Sequence, residues 1–190
     1  KNGVERLKDV EALTLSGMDG KISFDLSLEK RIALIETNEN DIKRITNELR
    51  KAVTPSIKKN RLFIQKHCSK ILIFSGGFKE IIIPIVSEYG INEDQIFANE
   101  FIYDSDGNVI GIDKNNNMSK KSGKILMIKS LHLSGNIDVI GDGFTDYEIK
   151  KSGLATNFYA FIENINREKI SQLSDKVLNS FDDYIEIVND

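Results

Sequence analysis

The sequence predicts an α/β protein in which a mostly parallel β-sheet, with helices on both faces, follows an all-helical block. From residue 53 onward, short apolar runs of strand length alternate with segments whose apolar residues recur at helical spacing, a pattern typical of parallel sheets. Before residue 53 only the helical spacing occurs. We therefore expect a helical domain over residues 1–52 and an α/β domain over residues 53–190.

The helical block is expected to hold three helices. Apolar residues recur every three or four positions in its first segment, and two further segments repeat the pattern. Ser27 is the expected N-cap of the second helix, and Asn38 or Asn40 that of the third, because short polar side chains can accept hydrogen bonds from the first free backbone N–H groups.

The wholly apolar run of residues 71–74 predicts a strand that is buried on both faces, and residues 137–140, apolar except for Asp138, predict the next buried strand. The first ends in a Ser-Gly-Gly turn and the second in a Gly-Asp-Gly turn. The remaining segments are expected as strands at 95–98, 158–161 and 184–188, a hairpin of 101–103 with 109–112, and helices at 56–67, 78–89, 122–131, 147–152 and 167–173. Ligands of open α/β sheets bind at the carboxyl ends of strands, so these two turns are the candidate sites.

Composition excludes several classes of protein. The net charge of −3 predicts no nucleic-acid partner and no attraction to an anionic membrane. No apolar run is long enough to span a bilayer, and the single cysteine, Cys68, cannot form an internal disulfide. These features favour a cytoplasmic protein, and they leave its oligomeric state open.

The turn after the first apolar run can bind a phosphate. The hydroxyl of Ser75 offers one O–H donor, and Gly76 and Gly77 let backbone N–H groups approach closely. A plain strand-to-helix turn has the same residues, and both interpretations remain open on this feature alone.

The turn after the second run can bind a cation. Asp142, with Asp146 four residues on, supplies the carboxylate oxygens that Mg²⁺ prefers. The alternative is an Asp-Gly turn in which Asp146 caps a helix. Lys124 lies between the two turns in sequence, and its ammonium could neutralise a phosphoryl oxygen or simply be solvated.

Taken in chain order, the Ser75 turn, Lys124 and the Gly-Asp-Gly-x-x-Asp motif that ends at Asp146 resemble the motif set of the haloacid dehalogenase superfamily. The Ile-Phe-Ala-Asn sequence at 96–99 and the Gly-Phe-Thr-Asp sequence at 143–146 resemble its phosphoserine phosphatase branch. In the helical block, residues 17–24 and 27–34 are similar to that family's cap insertion.

The resemblance implies a haloacid-dehalogenase-like core with an inserted helical cap. It places a first core strand and an Asp-x-Asp motif before Lys1, so that the nucleophile and the general acid are missing from the given chain. In such enzymes the first aspartate attacks phosphorus to form an aspartyl-phosphate, and the second protonates the leaving oxygen.

The resemblance also implies a role for nine residues of this chain. Ser75 and Gly76 would hold the phosphate, Lys124 would neutralise charge, Asp142 would bind Mg²⁺ and Asp146 would orient Lys124. Thr145 stands where the family places a small polar residue, often Asn, near the phosphate. In the cap, Arg31 would pair with the substrate carboxylate, and Met18 and Phe24 would cover the substrate.

The expected function is therefore Mg²⁺-dependent hydrolysis of O-phospho-L-serine, a small phosphomonoester, in serine biosynthesis. Two alternatives stay open. The departure at Thr145 leaves room for another small phosphorylated metabolite, and the missing nucleophile leaves room for a catalytically inactive, phosphate-binding module.

Overall fold

The computed structural model describes residues 3–18 and 21–189, with the backbone alone at residues 3, 4, 17, 18 and 24. The helices are α1 (Gly3–Met18), α2 (Phe24–Ala33), α3 (Glu39–Lys51), α4 (Pro55–Lys59), α5 (Arg61–His67), α6 (Lys79–Val86), α7 (Gly123–Ser130), α8 (Phe144–Lys151), α9 (Glu168–Leu173) and α10 (Phe181–Asn189). The strands are β1 (Ile73–Phe78), β2 (Ile96–Asn99), β3 (Phe101–Tyr103), β4 (Val109–Ile112), β5 (Asp138–Gly141), β6 (Asn157–Phe161) and β7 (Lys176–Leu178). Short 3₁₀ turns cover Cys68–Lys70, Ser87–Tyr89, Glu93–Gln95 and Asn117–Ser119.

The chain divides into two compact units, and one division falls between Lys51 and Ala52. The first unit joins Lys1–Lys51 with Ile71–Gly123, and the second joins Ala52–Lys70 with Lys124–Asp190. The described helices and the parallel strands agree with the α/β class expected from the sequence. The assignment of residues 1–52 as a cap stays a prediction.

Three helices, α1 to α3, form the expected helical block of the first unit. The Asn38 carboxamide oxygen accepts hydrogen bonds from the backbone N–H groups of Asn40 and Asp41, so Asn38 caps α3. Ser27 was expected to cap α2, and that prediction is wrong: α2 starts one residue after Ser23. The buried Ser27 hydroxyl instead donates to the Leu13 carbonyl of α1 at 2.8 Å.

In the rest of the first unit, β1 and β2 pair in parallel, and β3 and β4 form the expected antiparallel hairpin. The hairpin turn needs Gly107, whose φ of +79° is costly for residues with a Cβ. The strand predicted at residues 71–74 starts later and runs through the Ser-Gly-Gly turn to Phe78. Its residues are only half-buried, because among the described residues β1 hydrogen-bonds to a neighbour, β2, along one edge.

The second unit is built on a parallel sheet of order β5-β6-β7. Phe158 and Ala160 of β6 are almost completely buried and pack with Ile170 of α9, which gives the sheet an apolar face. Leu178 of β7 is also fully buried. This core holds the carboxyl end of β5, where Asp142 follows the strand.

Three predicted elements of the second unit differ from the structure. Residues 184–188 form part of helix α10 and not a strand, because apolar side chains at Phe181, Tyr184 and Val188 also fit helical spacing and a five-residue window cannot distinguish the periods. The helix expected at 56–67 is interrupted at Asn60. Strand β7 was not predicted, and α8 begins at Phe144, three residues earlier than expected.

Among the helices within residues 3–18 and 21–189, none combines the length and the apolar character needed to cross a bilayer.

Glu80, in the first turn of α6, has a carboxylate with one satisfied oxygen. Oε1 accepts a hydrogen bond from the Phe101 N–H at 2.8 Å, whereas the buried Oε2 has no hydrogen-bond partner among the described residues. Burial raises the pKa of Glu80 above its ordinary value of 4.5. The folded protein therefore holds this proton to a higher pH than the unfolded chain does.

The free energy of unfolding should therefore decrease as pH rises from 4.5, the ordinary pKa of a glutamate, through the raised pKa that Glu80 has in the folded protein. Above that pH it should stay at the lower value. Glu80→Gln keeps an acceptor for Phe101 but cannot ionise. We expect the Tm of this variant, relative to the wild type, to increase as pH is raised from about 4 to about 7. If the difference in Tm between Glu80→Gln and the wild type does not change with pH, ionisation of Glu80 is not the cause of the pH-dependent stability.

Candidate active site

Lys124 and Asp146 form a close ion pair in the second unit. Lys124 lies in the first turn of α7 and Asp146 in the first turn of α8, and their Nζ and Oδ1 atoms are 2.6 Å apart. Only 16% and 13% of the two side chains is exposed, so the pair is far less screened than a surface salt bridge. The structure thus brings together two of the residues expected at the site.

Asp146 performs a second task at the same place. Its Oδ2 atom accepts a hydrogen bond from the Gly143 N–H at 3.1 Å, which caps the start of α8. The capping interpretation of Asp146 is therefore confirmed, and the contact with Lys124 shows that capping does not prevent the carboxylate from holding the lysine.

Gly141, the last residue of β5, makes room for this carboxylate. A Cβ at residue 141 would lie 2.3 Å from Cγ and 2.4 Å from Oδ2 of Asp146. The close approach requires glycine, although the φ of Gly141 is not in the left-handed region.

Asp142, the expected metal ligand, is half-exposed and pairs with Arg167. The Arg167 Nη1 atom contacts the Asp142 Oδ2 atom and also donates to the Asp142 carbonyl at 3.1 Å. Arg167 was missed in the sequence, since nothing local links it to a residue 25 positions earlier. Thr145 lies in the first turn of α8 and is exposed.

A Mg²⁺ ion fits this donor set in part. Asp142 supplies a hard, accessible carboxylate, and its Oδ1 atom has no hydrogen bond among the described residues. No cluster of three or more His, Cys, Asp or Glu residues suited to a metal occurs in the described part of the chain. Mg²⁺ usually takes one or two carboxylates together with phosphate and water, so Asp142 can serve as one ligand.

In the first unit, the Ser-Gly-Gly turn forms the end of β1. The Ser75 hydroxyl oxygen accepts a hydrogen bond from the Gly77 N–H at 3.0 Å, and Gly76 is exposed. Asn99, at the end of β2, donates from Nδ2 to the Gly76 carbonyl at 2.9 Å. Asn99 was not singled out as a site residue, although a polar residue directly after a short apolar strand is the same signal that identified Ser75.

Arg31 lies on α2 and is half-buried. Its Nε atom donates to the Ser27 carbonyl at 3.3 Å, and no carboxylate pairs with its guanidinium among the described residues. Burial lowers the pKa of Arg31, which means that an anion beside the guanidinium would be favourable. The side chains of Met18 and Phe24, the other expected cap residues, lie outside the described residues.

Comparisons with known proteins identify the family of the chain. A scan of protein-family models found no match. The phosphoserine phosphatase of Methanocaldococcus jannaschii is 33% identical over 169 residues, which cover 83% of this chain and 74% of that protein. The chloroplastic phosphoserine phosphatase of Arabidopsis thaliana is 27% identical over 181 residues, or 94% of this chain, and the match spans 61% of the plant protein.

Solved structures share the fold. A HAD family hydrolase from Salmonella enterica superposes with a TM-score of 0.66 at 19% identity over 94% of this chain and 63% of that one, which shows the haloacid-dehalogenase-type fold alone. A phosphoserine phosphohydrolase-like protein from Francisella tularensis gives a TM-score of 0.80 at 34% identity, over 98% of this chain and 87% of that one. The chain belongs to the phosphoserine phosphatase family of these hydrolases.

Proposed function

We propose that this chain forms the greater part of a Mg²⁺-dependent phosphoserine phosphatase, which hydrolyses O-phospho-L-serine to L-serine and phosphate through an aspartyl-phosphate. The partly buried Lys124–Asp146 pair carries the proposal, because it holds a cation at the carboxyl end of β5, where α/β sheets bind ligands. We place the reaction in cytoplasmic serine biosynthesis.

Lys124 would neutralise negative charge on the phosphoryl group. An ammonium has three N–H donors, and the described contacts of Lys124 use one of them, on Asp146. The remaining donors are available to phosphoryl oxygens, and the low exposure of the pair strengthens that interaction. The nucleophilic aspartate would come from the segment that the family resemblance places before Lys1.

The Ser-Gly-Gly turn would bind the phosphate. The Ser75 oxygen already accepts a hydrogen bond from Gly77, so its hydrogen is free to donate to a phosphate oxygen. Gly76 is exposed and has no side chain, which allows an anion to approach the backbone.

Asp142 would contribute to the Mg²⁺ site through its carboxylate. When bound, Mg²⁺ neutralises charge on the phosphoryl oxygens. Arg167 holds Oδ2 of Asp142 and orients the carboxylate, which leaves Oδ1 for a metal.

Substrate recognition would depend on Arg31. A half-buried guanidinium without a carboxylate partner among the described residues suits a ligand carboxylate, which it can bind through two parallel hydrogen bonds. This feature favours phosphoserine over phosphate esters that lack a carboxylate.

The corresponding experiment compares Arg31→Ala with the wild type, in the full-length protein that includes the expected aspartate segment. We expect KM for phosphoserine to rise about 10- to 100-fold, the range for a hydrogen bond to a charged group. KM for phosphoethanolamine, which has no carboxylate, should change less than about threefold. Lys30→Ala, one residue earlier and exposed, is the matched control.

Equal effects of Arg31→Ala on both substrates would remove Arg31 from carboxylate recognition. A wild-type protein that prefers another phosphomonoester in a panel of phosphorylated metabolites would overturn the substrate assignment and leave the phosphatase class intact. Binding of phosphate without any turnover would instead identify an inactive binding module.

A further inference from the structure

Asn99 is a fully buried amide at the carboxyl end of β2, with 0% of its surface exposed. Its Nδ2 atom donates to the Gly76 carbonyl at 2.9 Å, and its Oδ1 atom has no hydrogen-bond partner among the described residues. Burying an amide that is only partly satisfied is costly, and an apolar residue of similar size would avoid this cost. The contact with Gly76 is therefore the feature of Asn99 that needs an explanation.

The β1–β2 register shows why Gly76 needs a side-chain partner. Phe74 is paired with Phe97, and the next pair is Phe78 with Asn99. Three residues of β1, 75–77, thus face a single residue of β2, so they leave the regular ladder as a bulge. Backbone groups in such a bulge lose their partners on the neighbouring strand, and Asn99 replaces one of those partners.

This one hydrogen bond acts on two further groups. A peptide unit is planar, and no peptide bond among the described residues is cis, so fixing the Gly76 carbonyl also fixes the direction of the Gly77 N–H. That N–H donates to the Ser75 hydroxyl oxygen at 3.0 Å. With a lone pair occupied in this way, the hydroxyl directs its hydrogen elsewhere and can donate it to an anion.

We infer that Asn99 is a positioning residue for the phosphate-binding turn: it orients the Gly76–Gly77 peptide so that Ser75 presents its hydroxyl hydrogen to phosphate. The inference rests on the proposed function, because it assigns phosphate binding to the Ser75 turn. Asn99 acts through Gly76, Gly77 and Ser75 and does not itself contact the phosphate.

The test measures inhibition by inorganic phosphate, expressed as Ki, together with Tm, in the full-length protein. Asn99→Leu removes the amide donor but keeps the same branched arrangement of side-chain heavy atoms. We expect Ki for phosphate to rise at least about tenfold, equivalent to one well-placed hydrogen bond. Ile96→Val, a change in the buried core of the same strand, should lower Tm while leaving this Ki unchanged.

If Asn99→Leu lowers Tm but its Ki for phosphate stays within about twofold of the wild-type value, Asn99 is only a packing residue and the inference is wrong. A twofold change is smaller than the loss of one hydrogen bond would give. If the leucine variant does not fold, Asn99→Asp decides. A protonated carboxyl can donate to the Gly76 carbonyl and an ionised one cannot, so phosphate affinity relative to wild type should recover as pH is lowered. A ratio independent of pH overturns the inference.

The same measurements separate this inference from the proposed function. The wild-type kcat for phosphoserine tests the function, and the ratio of Ki values between variant and wild type tests Asn99. A wild-type protein that binds phosphate without hydrolysing phosphoserine refutes the function, and the ratio of phosphate dissociation constants measured by direct binding then decides the role of Asn99. A wild type that hydrolyses phosphoserine but has no measurable affinity for phosphate overturns the inference about Asn99 and leaves the function intact.

Discussion

Lys124→Met is expected to lower kcat for phosphoserine about 100- to 1,000-fold, the range observed when one group that stabilises transition-state charge is removed. Methionine keeps most of the length of the side chain and loses the ammonium. The 16% exposure of Lys124 means that water can replace its charge only poorly. Steady-state kinetics on the full-length protein measures this change.

The same substitution should also destabilise the fold, because it leaves the Asp146 carboxylate largely buried without its cation. We expect a loss of about 3 kcal/mol in the free energy of unfolding, at the lower end of the range for buried pairs. Lys124→Met combined with Asp146→Leu should recover part of this stability, because it removes the unpaired carboxylate but also the cap on the Gly143 N–H, and it should not recover kcat. Lys121→Met, at an exposed lysine three positions earlier, is the matched control for loss of charge.

Turnover by Lys124→Met within about threefold of wild type would contradict the catalytic role of Lys124, since even one lost charge-assisted hydrogen bond gives a larger effect. If the single and double variants are equally unstable, the carboxylate of Asp146 is not the cause of the stability loss.

Gly141→Ala is the second substitution with a large expected effect. The new methyl group would lie within 2.4 Å of Cγ and Oδ2 of Asp146. The methyl group would also lie 2.7 Å from Cβ of Asp146, which no change of side-chain rotamer can relieve, so α8 must move away from β5 and disturb the contacts of Asp146 with Lys124 and with the Gly143 N–H. We expect kcat to fall about 100-fold and the free energy of unfolding to decrease by about 1–3 kcal/mol.

Gly111→Ala is the control for this substitution. Gly111 lies in β4, and a Cβ there would meet no atom within 4 Å. Its kcat and Tm should stay close to those of wild type. If Gly141→Ala keeps the wild-type kcat, or if Gly111→Ala loses as much kcat as Gly141→Ala, the close approach of Gly141 to Asp146 is not required for the position of the Asp146 carboxylate.

Much of the fold was predictable because its signals are local. Short apolar runs located β2, β5 and β6, and the glycine-containing turn located the β3–β4 hairpin within a residue or two. The failures occurred where local signals are ambiguous. The hydroxyl of Ser27 suits a cap, yet tertiary packing directs it to Leu13 on another helix. The apolar residues of 184–188 fit both a strand and a helix.

The sequence by itself determined the α/β class, the family and the residues at strand ends, Ser75 and Asp142 among them, because an apolar run followed by glycine and a polar residue is a local pattern. Only the tertiary structure decided which of these residues have partners. Lys124 meets Asp146 across 22 residues, Arg167 meets Asp142 across 25, and Asn99 meets Gly76 across 23. Such pairs depend on how helices and strands pack, and packing is set by side-chain volume and burial over the whole unit.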